Sequence, residues 1–202
     1  MCGRFVLLAD LARVVDEFHI GEVLCDYSPL NEVYPGQNVY ALVHGAVNRL
    51  VQFRWGLIPS WLKEPPSSNR MFNARAETLM EKPSFRGIFK RQRCLILADG
   101  FYEWEKGEKN KKTPHCYQLA SGKPFGFAGL YDSRLEADGR LLYTCTLITT
   151  MPNELIRLVH DRMPAIISRE DESTWLDPSV SDSHRLMSLL RPYPPAAMKE
   201  KR

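Results

Sequence analysis

Along the chain the apolar residues fall mostly into short alternating or continuous runs, with helical spacing in only a few windows. Phe5 to Leu8 reads as a short apolar strand. Asp10 is placed to cap a helix in which Leu11, Val14, Val15 and Phe18 recur at helical spacing, with Gly21 closing it. Residues 25–36 carry Pro29, Asn31 and Pro35 and read as irregular. Asn38 to His44 and Val47 to Trp55 form a predicted hairpin about Gly45. In its second strand Val47, Val51, Phe53 and Trp55 share one face, with Arg49 the exception, and Asn48, Gln52 and Arg54 share the other. Gly56 to Ser68 is a proline-rich loop, and Asn73 to Thr78 is a polar cluster leading into a short helix. Cys94 to Ala98 is a continuous apolar run, the pattern of a buried strand, and it delivers Asp99 to Trp104. Glu105 to Lys112 is a charged hairpin tip. Thr113 to Leu119, Pro124 to Tyr131 and Leu141 to Thr149 complete an antiparallel run, with turns at Ser121-Gly122 and Asp138-Gly139. Pro152 opens a predicted helix with Leu155, Ile156 and Val159 inward, and Ala165 to Ser168 is a last strand. Ser168 and Asp171 resemble a capping box for a helix ending near Leu176, and a final helix spans about Asp182 to Leu190. Residues 192–202 read as a loose basic tail, so the chain is a single domain over 1–202.

Composition adds bounds. The 202 residues are 44% hydrophobic, enough for one sizeable core. The net charge of +3 is too mild to announce a nucleic-acid binder, so any basic surface is local. Five cysteines with no CxxC pair indicate neither a disulfide framework nor a zinc site. No signal peptide or membrane-length apolar run is evident, and a reducing, cytoplasmic setting is the simplest expectation.

The candidate chemistry begins at Met1-Cys2-Gly3-Arg4. Removal of Met1 would leave Cys2 with a free α-amine and a thiol on adjacent carbons. These groups titrate near ~7.7–8.0 and ~8.5 in unperturbed peptides, so both are partly nucleophilic at neutral pH. Such a 1,2-aminothiol condenses with an aldehyde to an imine and then closes to a thiazolidine. The alternative is a retained Met1 and a merely structural Cys2. Glu103 sits between aromatics, where desolvation would raise its pKa into the range of proton transfer, or it points to solvent. His160, in a polar turn before Pro164, is either a catalytic or a structural imidazole. Trp55 and Trp61 offer stacking faces for unpaired bases unless they are buried. Lys82 to Arg93 is either a phosphate-contacting stretch or a solvated basic face.

Five pieces, taken in order, are Met1-Cys-Gly-Arg4, Arg54-Trp-Gly-Leu-Ile-Pro59, Asn73-Ala-Arg-Ala-Glu-Thr78, Phe101-Tyr-Glu-Trp104 and His160-Asp-Arg-Met-Pro164. In this order and spacing the chain resembles the SOS-response-associated peptidase family, from Met1 to about Tyr193. The resemblance implies an α+β fold, with a bifurcated, mostly antiparallel sheet curled into a pseudo-barrel and short flanking helices. It implies a monomeric sensor of abasic sites in single-stranded DNA that forms a thiazolidine DNA–protein crosslink through mature Cys2, with no cofactor or metal and no membrane partner. It also implies association with the nucleoid, possession of lyase activity and thiol-dependent autopeptidase activity. Carried over residue by residue, Cys2 is the nucleophile, Asn73 orients its amine, Glu103 shuttles protons and His160 acts on the sugar ring oxygen. Arg4, Trp55, Trp61, Arg75, Thr149 and Arg162 are the implied DNA contacts. Asn31 to Pro35 has one residue more than the family's Asn-x-x-Pro loop. Two rival readings use the same terminus. One is an autopeptidase whose main function is processing. The other is a class II glutamine amidotransferase, for which an oxyanion-hole Asn-Gly pair is not evident.

Overall fold

The computed structural model describes residues 2–62, 71–106 and 112–201. Met1, residues 63–68 of the proline-rich loop, the centre of the charged hairpin tip and Arg202 lie outside the described residues.

Five strands close on themselves. In ring order they are β11 (Leu141–Thr150), β10 (Phe125–Leu135), β7 (Arg93–Ala98), β4 (Asn38–Val43) and β5 (Asn48–Trp55), and a parallel pairing of Arg54 and Trp55 with Thr144 and Cys145 joins the last to the first. Three short strands extend the ring: β2 (Ile20–Val23) on β5, and β6 (Asn73–Arg75) and β12 (Met163–Pro164) on β11. A second antiparallel sheet has the order β13 (Met198–Lys201), β9 (Lys112–Leu119), β8 (Gly100–Lys106), β1 (Phe5–Leu7) and β3 (Leu30–Val33). The fold is α+β, with a pseudo-barrel of mostly antiparallel strands, as the resemblance implied.

The continuous apolar run of β7 follows from burial on both faces. Leu95 and Leu97 join a cluster with Phe18, Phe85, Trp175 and Leu186 of the helices. Cys94, Ile96 and Ala98 join a second cluster, in which Trp55 and Phe127 of the ring meet Phe5, Phe101 and Tyr117 of the other sheet and Cys2 just ahead of it. β10 pairs directly with β7, and a Cβ at Gly129 would fall 2.8 Å from the sulfur of its partner Cys94. The hairpin β4–β5 forms as its alternation predicts, and Leu50 on the more polar face is covered by the helical cluster.

Among the described residues the α-helices are few: α1 (Leu11–Phe18), α2 (Pro83–Arg86), α3 (Glu172–Leu176) and α4 (Ser183–Ser188). Asp10 caps α1 by accepting from the Arg13 N–H. The helix ends at His19, which is left-handed at φ 49°, and not at Gly21, which lies in β2 against Val47. Four further expectations are corrected. Within residues 25–36, Leu30–Val33 is an edge strand whose polar residues face solvent, which is why it shows little pattern. The segment after Pro152 makes only a 3-10 turn, Ile156–Leu158. Of the expected strand from Ala165 to Ser168 only a single bridge at Ile166 forms, and the paired strand, β12, falls just before it. The tail is not loose, because Met198–Lys201 pairs with Cys116–Leu119 and buries Met198.

Candidate active site

The site lies where the two sheets meet. β8 carries Glu103, the segment leading into β1 carries Cys2 and Arg4, β6 begins with Asn73, and the turn before β12 carries His160. Register places β6 beside the end of β11, Asn73 across from Leu147 and Arg75 across from Thr149. The chain just after β1 is pinned by Asp99, whose half-buried carboxylate accepts from the backbone N–H groups of Leu8 and Ala9. Asp99 was not singled out from the sequence; its signal is an acidic residue between a fully apolar strand and a glycine.

Cys2 is completely buried. The Asn73 side-chain amide donates to the Cys2 carbonyl at 2.8 Å, while its Oδ1 is buried with no hydrogen-bond partner among the described residues. Burial pushes the Cys2 thiol well above the ordinary range, and the nearby Glu103 charge pushes it further. Glu103 is itself fully buried, and desolvation raises its carboxyl to about 7. The Arg162 backbone N–H donates to Nδ1 of His160 at 3.0 Å. An amide N–H can only donate, so the proton of the neutral ring sits on Nε2, the nitrogen 3.9 Å from the Glu103 carboxylate. Asp161 and the Arg162 carbonyl also approach Nδ1, at 3.1 and 3.2 Å, and would accept a hydrogen bond from an Nδ1–H in the charged ring.

The structure therefore brings Cys2, Asn73, Glu103 and His160 into one neighbourhood. The implied DNA contacts divide. Arg75 is exposed at the end of β6. Arg4 pairs with Glu32 and lies 4.1 Å over the Tyr102 ring, still partly accessible. Trp61 is 62% exposed on a turn tied to β10, where the Ser60 N–H donates to Asp132 and Arg134 donates to the Leu62 carbonyl. Trp55, by contrast, is fully buried with its indole N–H on the Phe72 carbonyl, so its ring offers no free face to a base. Thr149 is buried with its hydroxyl donating to the Ala74 carbonyl. Arg162 is buried and forked onto Glu77 at 2.8 and 2.9 Å, with a third bond to the Thr149 carbonyl. Its donors serve the frame beneath the site, because a buried guanidinium needs a fixed carboxylate. In the basic stretch, Arg93 is likewise structural. It donates to five carbonyls, among them those of Trp175 and Asp177, and docks α3 on β7. Among the described residues no group of three or more His, Cys, Asp or Glu side chains could hold a metal ion, and no helix is long and apolar enough to cross a membrane.

Comparison with known proteins gives a consistent family. The family model described as SOS response associated peptidase (SRAP) matches residues 1–202. The chain is 46% identical over 196 residues to the abasic site processing protein YoqW of Bacillus subtilis (strain 168), covering 96% of this chain and 88% of that protein. It is 36% identical over 166 residues to the abasic site processing protein HMCES of Gallus gallus, covering 71% of this chain and 49% of that protein. A crystal structure of a protein from Bacteroides thetaiotaomicron superposes with a TM-score of 0.88 at 29% identity, covering 98% of this chain and 90% of that one.

Proposed function

Because the chain belongs to the SOS response associated peptidase family, we propose that it processes abasic sites in single-stranded DNA by capturing the ring-opened sugar aldehyde on Cys2. The names of its relatives support abasic sites as the target. The covalent chemistry rests chiefly on one observation: Cys2, held by Asn73, lies beside a buried carboxyl poised near 7.

Once Met1 is removed, the α-amine of Cys2 attacks the aldehyde carbon. The unpartnered Oδ1 of Asn73 is an acceptor available to orient that amine. Protonated Glu103 donates to the carbinolamine hydroxyl, which leaves as water and gives the imine. The imine leaves that step protonated on nitrogen, the resulting carboxylate takes the thiol proton as sulfur adds to the imine carbon, and the nitrogen keeps its own proton in the neutral ring. The net change is aldehyde plus aminothiol to thiazolidine plus water. A thiol held high stays an S–H until that step, so the amine acts first. The Nε2–H of His160 is suited to donate to the sugar ring oxygen and favour the open aldehyde. An imine also acidifies the adjacent C2′ proton, so β-elimination is the competing exit and gives the lyase activity; ring closure removes it.

The family's description as a peptidase favours a second reading, thiol-dependent removal of Met1. Burial of the thiol opposes it, because a peptidase nucleophile works as thiolate. A denaturing gel tests the first reading with an oligonucleotide carrying one abasic site. The expected result is a heat-resistant shifted band, absent with undamaged DNA and with Cys2→Ala. No band from protein shown by mass spectrometry to begin at Cys2 would refute aldehyde capture.

A further inference from the structure

Beside His160 is a hollow of about 350 Å³ lined by Glu105, Arg157, Leu158, Val159, His160 and Asp161. Its rim is unusual. Leu158 is 76% exposed, the most exposed large apolar side chain among the described residues. It is not a floppy one. The turn that presents it is capped by Asn153, whose Oδ1 accepts from the N–H groups of Leu155 and Ile156, and is closed by the His160 N–H on the Ile156 carbonyl. Ile156 is buried beneath it. Arg157, the preceding residue, is exposed and has no ion pair among the described residues.

We propose that Leu158 and Arg157 form a subsite for the nucleotide flanking the lesion, Leu158 packing on its base and Arg157 meeting its phosphate. The reasoning rests on the reading of the site given above and deepens it. Loss of one base leaves its neighbour with an unstacked apolar face. A fixed leucine two residues from His160 covers such a face and excludes water. A cation one residue away matches the phosphate that any flanking nucleotide carries. The subsite makes the protein select an abasic sugar that has a base next to it, and Leu158 acts in specificity, not in chemistry.

The test is fluorescence anisotropy in the Cys2→Ala background, with single-stranded oligonucleotides carrying a tetrahydrofuran residue as the abasic position. One has bases on both sides; in the other the flanking nucleotides are tetrahydrofuran as well. Leu158→Ala is expected to weaken binding about fivefold to the first and to leave the second unchanged. Cys2→Ala with Leu158 intact is expected to lose the same factor when the flanking bases are removed. Arg157→Gln is expected to weaken both oligonucleotides alike. Equal loss on both oligonucleotides for Leu158→Ala, no loss on either, or no measurable binding would overturn the subsite. The denaturing gel with Cys2 intact reads separately: absence of crosslinks there, with the anisotropy pattern as expected, would sink aldehyde capture and leave the subsite standing.

Discussion

Glu103 is the residue whose surroundings most change its chemistry. A native carboxyl near 7, against an ordinary value of 4.5, means that the folded state holds a proton the unfolded state has released between those pH values. Stability therefore falls as pH rises through that window, and the whole penalty, about 3 kcal/mol at most, is present above it. Glu103→Gln removes the ionisable group and keeps the shape. It is expected to match the unsubstituted protein in denaturant melts near pH 4.5 and to exceed it near pH 8. Glu172, also held near 7 by burial, adds the same trend to both proteins and cancels in the comparison. The same substitution is expected to slow crosslinking about 10²-fold, the scale of a lost proton-transfer group. A Gln variant with the same pH dependence of stability as its parent would mean that Glu103 titrates in the native state as it does in the unfolded chain.

At the scale of elements, the short pieces at the chain ends and edges carry more of the design than their sequence suggests. β13 covers the free edge of β9 and buries Met198, and Asn153 ties the capped turn to the tail through the Tyr193 carbonyl at 2.7 Å. Ending the chain at Ala197 is expected to cost about 2 kcal/mol, the burial of one methionine. For a chain of this length that is a fall of about 5 °C in Tm, read by calorimetry. An unchanged Tm would return residues 198–202 to the status of a tail. The Arg162–Glu77 fork works in the same way, locking the turn of His160 to the segment after Asn73.

Over the whole molecule, a net charge of +3 supplies little general attraction for DNA, so binding must come from placed cations. Arg75 is exposed beside Asn73, and Arg4 can exchange Glu32 for a phosphate. For single strands each neutralised phosphate contributes a slope of about −0.7 to log affinity against log salt. Arg75→Ala is expected to reduce the measured slope by about that amount, while Arg162→Met is expected to leave the slope alone and lower Tm. A slope untouched by Arg75→Ala would remove it from the DNA contacts.

The local sequence was enough for features decided locally or by strict periodicity. The buried strand at Cys94–Ala98, the β4–β5 hairpin and the Asp10 cap all follow from spacing and side-chain chemistry within a few residues. The ordered motifs likewise carried the family and its α+β barrel. Tertiary structure alone decided what each polar residue in those motifs faces. Arg75 and Arg162 look alike in sequence, yet one reaches solvent and the other is consumed by Glu77, 85 positions away in the chain. Trp55 and Trp61 are equally aromatic, yet only Trp61 is free to stack, because β5 closes the ring at Trp55. The edge strands β3 and β13 have no pattern of their own, since one side of each is solvent and the other is defined by a distant neighbour. Burial, which sets the proton affinity of Glu103 and Cys2, is a property of all the segments that meet around them, and no single stretch of sequence contains it.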